Sequence, residues 1–381
     1  MIYLDNAAGT RPYPEVIDII TDVLTKHWGN ASSNTSFGHE AMTIIDKVTQ
    51  QVADDINCNP EDIIWTSGAC EANSLALQGF AYCYPTHFFT SKMEHTSINE
   101  IVKVASIINK AEFIKNDKNG FISLTDLDSR LLMDVNQWDT SLVSISFANS
   151  EFGTIQDIKA ISKIVHSHGG YLHVDATQMY PWNKIDVQDL GIDMMSVSGQ
   201  KMNCVKGVGF LYVKNGIDIA TLIYGSQQEG RRGGTYPTHL IAAFGKALEL
   251  TRQYDKYQND NTVEHLRNRL LIALQKIEGT HLNGPGVDKR LPNNISLTID
   301  GVRADTLVTM CDLMGIIIAK GSACKSYESV PSEALMAIGL TKEQALNTIR
   351  ISLGRDNTEQ EIDTAADIIT KLVDRIRNDE E

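Results

Sequence analysis

Short apolar runs alternate along this chain with stretches whose apolar residues recur at helical spacing, and that alternation predicts its elements. Strands are expected at Ile63–Thr66, His87–Ser91, Leu142–Phe147, Tyr171–Asp175, Met194–Ser198 and Gly209–Val213. Periodic stretches between them predict helices at Pro14–Lys26, Cys70–Phe80, Thr96–Asn109 and Ile158–His168. Pro14 suits a first helical turn, where a missing N–H costs nothing. Strands separated by helices imply an α/β fold, with a mostly parallel, doubly wound sheet covered on both faces. After Gly234 the rhythm changes. A long helical pattern starts near Pro237 and runs toward Glu278. It is followed by strand-like Asn294–Ile299, helical Ala304–Leu313, strands at Gly315–Ala319 and Thr348–Leu353, and a closing helix from Thr358 to about Asp379. Fewer strands and more helices predict a smaller α+β C-terminal domain. The expected division is a large domain over 13–250 and a small one made of 1–12 and 251–381.

Composition narrows the class. Of 381 residues, 42% are apolar and 22% charged, so the chain can bury a sizeable core. The net charge of −14 argues against a nucleic-acid backbone or an anionic membrane as the main partner. The opening Met1–Asn6 has no basic region followed by an apolar one, so no secretory signal is read there. Asn73–Ser91 lacks Asp, Glu, Lys and Arg, yet its polar residues and Pro85 predict a buried helix, turn and strand rather than a membrane span. The expectation is a soluble cytoplasmic protein. The six cysteines form no C-x-x-C pair and no zinc-ligand spacing, so no metal site is read.

The chemistry concentrates where predicted strands end. In open α/β sheets, ligands gather at the carboxyl ends of strands, and phosphates favour helix N-termini. Thr66-Ser67-Gly68-Ala69-Cys70-Glu71 follows one strand and opens a helix. Its small residues let backbone N–H groups approach an anion, or simply cap the helix. Asp175, in His173-Val174-Asp175-Ala176-Thr177-Gln178, ends a buried strand. It needs either a cation such as a protonated pyridine nitrogen, or a helix to cap. Lys201 follows the turn Ser198-Gly199-Gln200, and a lysine withdrawn from water can attack a carbonyl. Lys206 competes for that role but lies in a loop before Gly207. A pyridoxal cofactor needs such a lysine, a ring aspartate, a stacking group and a phosphate cradle. Lys201, Asp175, His95 and the segment Ser67–Cys70 with Ser198 supply the set.

At this point a family resemblance becomes specific. Tyr3-Leu4-Asp5-Asn6-Ala7-Ala8, Phe37-Gly38, Thr66-Ser67-Gly68, Glu94-His95, His173–Gln178, Ser198-Gly199-x-Lys201 and Gly234-Thr235 resemble the cysteine desulfurases of the class-V aminotransferase fold. Gly321-Ser322-Ala323-Cys324, with Arg350-Ile351-Ser352-Leu353-Gly354-Arg355 downstream, resembles the branch with the longer catalytic loop. The resemblance implies the type I fold of pyridoxal-phosphate enzymes, with that cofactor held by Lys201. It implies Asp175 on the ring nitrogen, Gln178 on the ring oxygen, and His95 stacked on the ring and moving protons. Ala69, Cys70, Ser198 and Gln200 would contact the phosphate, and Ser150 would lie near the ring. Thr235 would reach the phosphate of a neighbouring subunit, which requires a homodimer. Arg350, with Asn149, would bind the carboxylate of L-cysteine, and the Cys324 thiolate would take its sulfur. The segment Lys320–Pro331, rich in small and polar residues, reads as a loop able to carry Cys324 between cofactor and acceptor.

The sequence departs from the family pattern at four places. Cys70 stands where Thr is common, so phosphate binding leans on backbone N–H groups. Gln200 replaces a His, Ser150 replaces an Asn, and Asn203-Cys204-Val205 lacks the usual Gly-Pro. The resemblance therefore implies a cysteine desulfurase passing sulfur to a protein acceptor, either an iron–sulfur scaffold or a thiolation enzyme. Other class-V enzymes remain as alternatives: a selenocysteine lyase, a cysteine lyase or an aminotransferase. So does a catalytically weak sulfur-relay paralogue.

Overall fold

The computed structural model describes residues 1–107, 110–134, 140–257, 262–321 and 330–379. Its strands are β1 (Ile2–Tyr3), β2 (Ile63–Thr66), β3 (Thr86–Thr90), β4 (Ala111–Phe113), β5 (Thr140–Ser146), β6 (Tyr171–Asp175), β7 (Met194–Ser198), β8 (Gly209–Val213), β9 (Thr280–Leu282), β10 (Asn294–Ile299), β11 (Ile316–Ile317), β12 (Ala319–Lys320) and β13 (Thr348–Ser352). A seven-stranded sheet runs in the order β2-β8-β7-β6-β5-β3-β4. All its pairings are parallel except those of β8, which is antiparallel to β2 and to β7. The expected mixed α/β architecture with a mostly parallel sheet is therefore present.

The apolar runs explain why this sheet is covered on both sides. Ile64, Leu211, Met194, Leu142 and Phe88 belong to one apolar cluster with the helical residues Ala72, Leu75, Ala76 and Phe80. Trp65, Phe210, Met195, Val197, Val143 and Phe89 belong to another, with Val16, Ile45, Val52, Ile161 and Phe244. Alternate residues of each strand enter opposite cores, so nearly every strand position must be apolar.

β9, β10, β12 and β13 form an antiparallel sheet, and a third apolar cluster joins it to the helices Thr262–Leu274, Ala304–Leu313 and Glu359–Asp379. The long helical pattern after Pro237 resolves into Thr238–Tyr257 and Thr262–Leu274. The strand expected over Gly315–Ala319 is two pieces: β11 pairs in parallel with β1, and β12 pairs with β13. Ile318, between them, is buried and carries the chain from one sheet to the other. β4 escaped the pattern because three half-buried residues at a sheet edge leave no apolar period. Among the described residues no helix is long and apolar enough to cross a membrane.

Candidate active site

Five strands of the large sheet, β7, β6, β5 and β3 side by side and β2 beyond the antiparallel β8, end on one side, and the loops leaving them line a cavity of about 500 Å³. The sequence signals at those strand ends converge there. Ala69, Cys70, His95, Asn149, Ser150, Asp175, Gln178, Ser198, Gln200, Lys201 and Arg350 all line it. Lys206 is exposed and outside the lining, whereas Lys201 is part of it. Thr235 is exposed and lies outside its own chain's cavity. Cys324 lies outside the described residues.

The anion cradle is built by small residues. Gly68 has φ +146°, and a Cβ there would sit 3.3 Å from Ser198 Oγ. Gly209 on β8 has no room for a side chain either, since its Cβ would lie 2.8 Å from Gly68 Cα. The loop after β2 is thus pressed against β7 and β8, and Ala69, Cys70 and Glu71, the first turn of the helical run, line the cavity, where first-turn N–H groups suit an anion. Behind it, Arg232 donates from Nε to Glu71 Oε1 at 2.7 Å and from Nη2 to Oε2 at 3.2 Å, while the Ser67 N–H donates to Oε2 at 2.8 Å. Burial opposes ionisation of Glu71, but these donors hold its carboxyl below the usual range. The Arg232–Glu71 pair was not read from the sequence, because its partners are 161 residues apart.

Asp175 ends β6 with both oxygens engaged. Oδ2 accepts from Asn73 Nδ2 at 2.9 Å and Oδ1 accepts from the Thr177 N–H at 3.0 Å. Two residues earlier His173 lies wholly buried between Ser144 Oγ and Ser196 Oγ, each at 2.9 Å. Burial lowers its pKa to about 4, against the opposing charge of Asp175, so it is neutral near pH 7. Thr177 Oγ1 is buried at the cavity wall without a hydrogen-bond partner. That orphaned hydroxyl, the paired aspartate and the glycine cradle fit a phosphorylated, cationic ring with polar substituents.

The N-terminal segment closes one wall. Lys201 Nζ donates to the carbonyls of Ala7 at 2.7 Å and Ala8 at 2.6 Å, and Gln178 Nε2 donates to Ala7 at 3.1 Å. These contacts aim Lys201 across the cavity wall. Arg350, on β13, is 2% exposed. Its Nη2 donates to Asp5 Oδ1 at 2.8 Å and its Nη1 to the Ser150 carbonyl at 3.4 Å, while its buried Nε has no partner. A guanidinium that lines a cavity with one nitrogen unpartnered has the chemistry to bind a carboxylate. Asn149 shapes the same wall through its backbone bonds. Its Oδ1 accepts from the Glu151 and Phe152 N–H groups, and its Nδ2 donates to the Met93 carbonyl.

Two acidic residues at the site carried no role in the sequence reading. Glu94 is 8% exposed and accepts from Ser91 Oγ at 2.6 Å and from the Ser146 N–H at 2.7 Å. Burial nevertheless raises its pKa to about 7. Glu151, bonded by Ser332 Oγ at 2.5 Å, is also raised by desolvation to about 7, against the pull of Arg350 and His95. Nothing in a linear pattern signals that a Glu beside a His, or within an Asn-Ser-Glu loop, will lose its water.

Comparison with known proteins converges on one group. The Aminotransferase class-V family pattern matches residues 2–364. A relative named cysteine desulfurase IscS, from Clostridium botulinum (strain Kyoto / Type A2), is 36% identical over 386 residues, spanning 99% of this chain and 95% of its own. A solved NifS-like protein superposes with a TM-score of 0.90 at 29% identity, covering 98% of this chain and 99% of its own. A structure described as SspA in complex with cysteine gives a TM-score of 0.80 at 28% identity, covering 93% and 99%. With a family pattern over nearly the whole chain and full-length relatives above 30% identity, this chain belongs to the class-V aminotransferase family and, within it, to the cysteine desulfurases.

Proposed function

We propose that the protein is a cytoplasmic, homodimeric, pyridoxal-phosphate-dependent cysteine desulfurase that converts L-cysteine to L-alanine and transfers the sulfur to Cys324. The observation that carries this reading is one cavity holding a lysine, a doubly hydrogen-bonded aspartate, a glycine-built anion cradle and a buried arginine with one unpartnered nitrogen. The full-length cysteine desulfurase relatives support it.

Pyridoxal phosphate, when bound, supplies an aldehyde for amines and a ring that withdraws electrons from the substrate's α-carbon. Lys201 would hold that aldehyde, Asp175 would pair with the ring nitrogen, Gln178 would serve the ring oxygen, and His95 would contact the ring and move protons. Ala69, Cys70, Ser198 and Gln200 would hold the phosphate and Ser150 the ring, and Thr235 would serve the neighbouring subunit's site. Arg350 receives the substrate carboxylate on the wall that Asn149 shapes. The Cys324 thiolate attacks the substrate sulfur. The S–S bond forms as the substrate's Cβ–S bond breaks, and the electron pair left on carbon takes up a proton to give alanine. The persulfide then passes to a protein acceptor, an iron–sulfur scaffold or a thiolation enzyme. The separate apolar cores support a division into a cofactor-binding domain over 13–250 and a second domain, 1–12 with 251–381, that carries the cysteine loop.

Mass spectrometry after brief exposure to L-cysteine tests the reading, with a Cys324→Ser variant alongside. A sulfur adduct on the Cys324 peptide with release of alanine, both lost in the variant, is the expected result. Bound cofactor with no adduct, and a variant behaving like the parent, would refute the role of the thiol.

A further inference from the structure

We propose that Asn73 and Ser97 are positioning residues that hold His95 in its Nε2–H tautomer and tie it to Asp175. This rests on the roles proposed above for His95 and Asp175. Neither Asn73 nor Ser97 lines the cavity, so any effect they have acts through its lining residues.

His95 stands at the N-cap of the helix Thr96–Ser106, a position usually filled by a small hydroxyl or carboxamide residue. Its ring Nδ1 accepts from the Ser97 N–H at 3.1 Å, which is the cap bond itself. A proton on Nδ1 would remove that acceptor and leave a helix N-terminal N–H without its cap. The Ser97 hydroxyl lies 2.8 Å from the same nitrogen. Which way that hydroxyl points is decided one residue further back.

Asn73 is fully buried, and its amide nitrogen lies 2.9 Å from Ser97 Oγ and 2.9 Å from Asp175 Oδ2. Its orientation is dictated by the carboxylate. Turned the other way, the amide oxygen would face Asp175, acceptor against acceptor, in a buried site. In the observed orientation Oδ1 has no partner, and the structure tolerates that loss to keep both N–H groups where they are. Since Ser97 Oγ receives one of these hydrogens, its own proton is free to go to His95 Nδ1. Donation thus runs in one direction, from Asn73 through Ser97 to the ring, while the second amide hydrogen goes to Asp175. His95 Nδ1 is an acceptor twice over, so the ring proton resides on Nε2, and Nε2 is the atom through which His95 gives and takes protons. One amide thereby sets the stacking histidine and the ring aspartate against each other.

Histidine-selective ¹⁵N NMR of the full-length, cofactor-free protein reads the tautomer directly, with the His95 resonance assigned from a His95→Asn spectrum. The parent is expected to show His95 with Nδ1 unprotonated and Nε2 protonated. Ser97→Ala removes only the hydroxyl and is expected to move the Nδ1 resonance while cofactor affinity stays within twofold. Asn73→Leu removes both donors. It is expected to populate the second tautomer and to weaken pyridoxal phosphate binding on the order of tenfold, the scale of one hydrogen bond to a charged group. A parent His95 protonated on Nδ1, or a His95 resonance unchanged in both variants, overturns the proposal. If Asn73→Leu does not fold, Ser97→Ala decides alone. A parent that binds no pyridoxal phosphate defeats the functional reading instead, and leaves the tautomer result standing.

Discussion

Glu94→Gln should make the protein less sensitive to alkaline pH, contrary to the usual effect of losing a carboxylate. The folded structure holds Glu94 with its pKa raised from 4.5 to about 7, chiefly by burial. Between those values the folded state binds a proton that the unfolded state has released, so stability falls as pH rises. The group's contribution is fully present below 4.5 and is lost as pH climbs through about 7. The whole loss is about 3 kcal/mol, at about 1.36 kcal/mol per pH unit. Near the isoelectric point of 5.2 solubility falls, so the measurable window lies above it. Between about pH 6 and pH 8.5 the two-pKa expression gives a change of about 1.4 kcal/mol. Glutamine suits the site, since its oxygen can accept from the Ser146 N–H and its amide can donate to Ser91 Oγ. Urea unfolding of parent and variant at both pH values isolates the effect, because Glu151 titrates equally in each. The variant should gain about 1.4 kcal/mol on its parent as pH rises through this window. A difference constant within about 0.3 kcal/mol would mean that Glu94 is ionised throughout, its two donors outweighing its burial.

Asp5→Ala leaves the buried Arg350 with only the Ser150 carbonyl at 3.4 Å. It should cost about 2–3 kcal/mol in denaturant unfolding, below the roughly 3–5 kcal/mol of a fully buried pair because Asp5 is partly exposed. The same variant should raise KM for L-cysteine more than it lowers kcat, and an unchanged KM would remove Arg350 from carboxylate binding. Gly68→Ala places a Cβ 3.3 Å from Ser198 Oγ at φ +146°. It should weaken cofactor retention in equilibrium dialysis roughly tenfold or more with little loss of fold, through backbone strain of about 1–3 kcal/mol in the cradle. Ser332→Ala removes the hydroxyl that helps hold Glu151 ionised, so the Glu151 carboxyl should titrate above 7, seen as an alkaline displacement of any midpoint it sets in the pH–rate profile. The variant should also lose about 1 kcal/mol, because Ser332 caps its helix through the Leu335 N–H. Lys201→Ala should abolish covalent retention of the cofactor through denaturation, and a variant that still carries it would assign the bond to another lysine.

The local pattern was sufficient for much of this protein. Tyr171–Asp175, Met194–Ser198 and Gly209–Val213 are strands at the predicted bounds, because burial on both faces demands unbroken apolar runs that no helix of that length requires. Lys201, Asp175, His95 and Arg350, which the cavity brings together, could be picked out beforehand because each sits in a short sequence motif: Asp175 at a strand end, Lys201 and His95 just after one, and Arg350 within β13. Tertiary structure decided what surrounds them. β11 and β12 joined different sheets because pairing is set by which edges meet, and no residue-level propensity encodes that. Glu94 and Glu151 became weak acids only when the fold removed their water, since desolvation is a property of a place and not of a residue type. Asn73 reads in the sequence as one more polar residue on a helix. It became a bridge between Ser97 and Asp175 because folding brought together groups separated by 24 and 102 positions, and a hydrogen bond depends on distance in space alone.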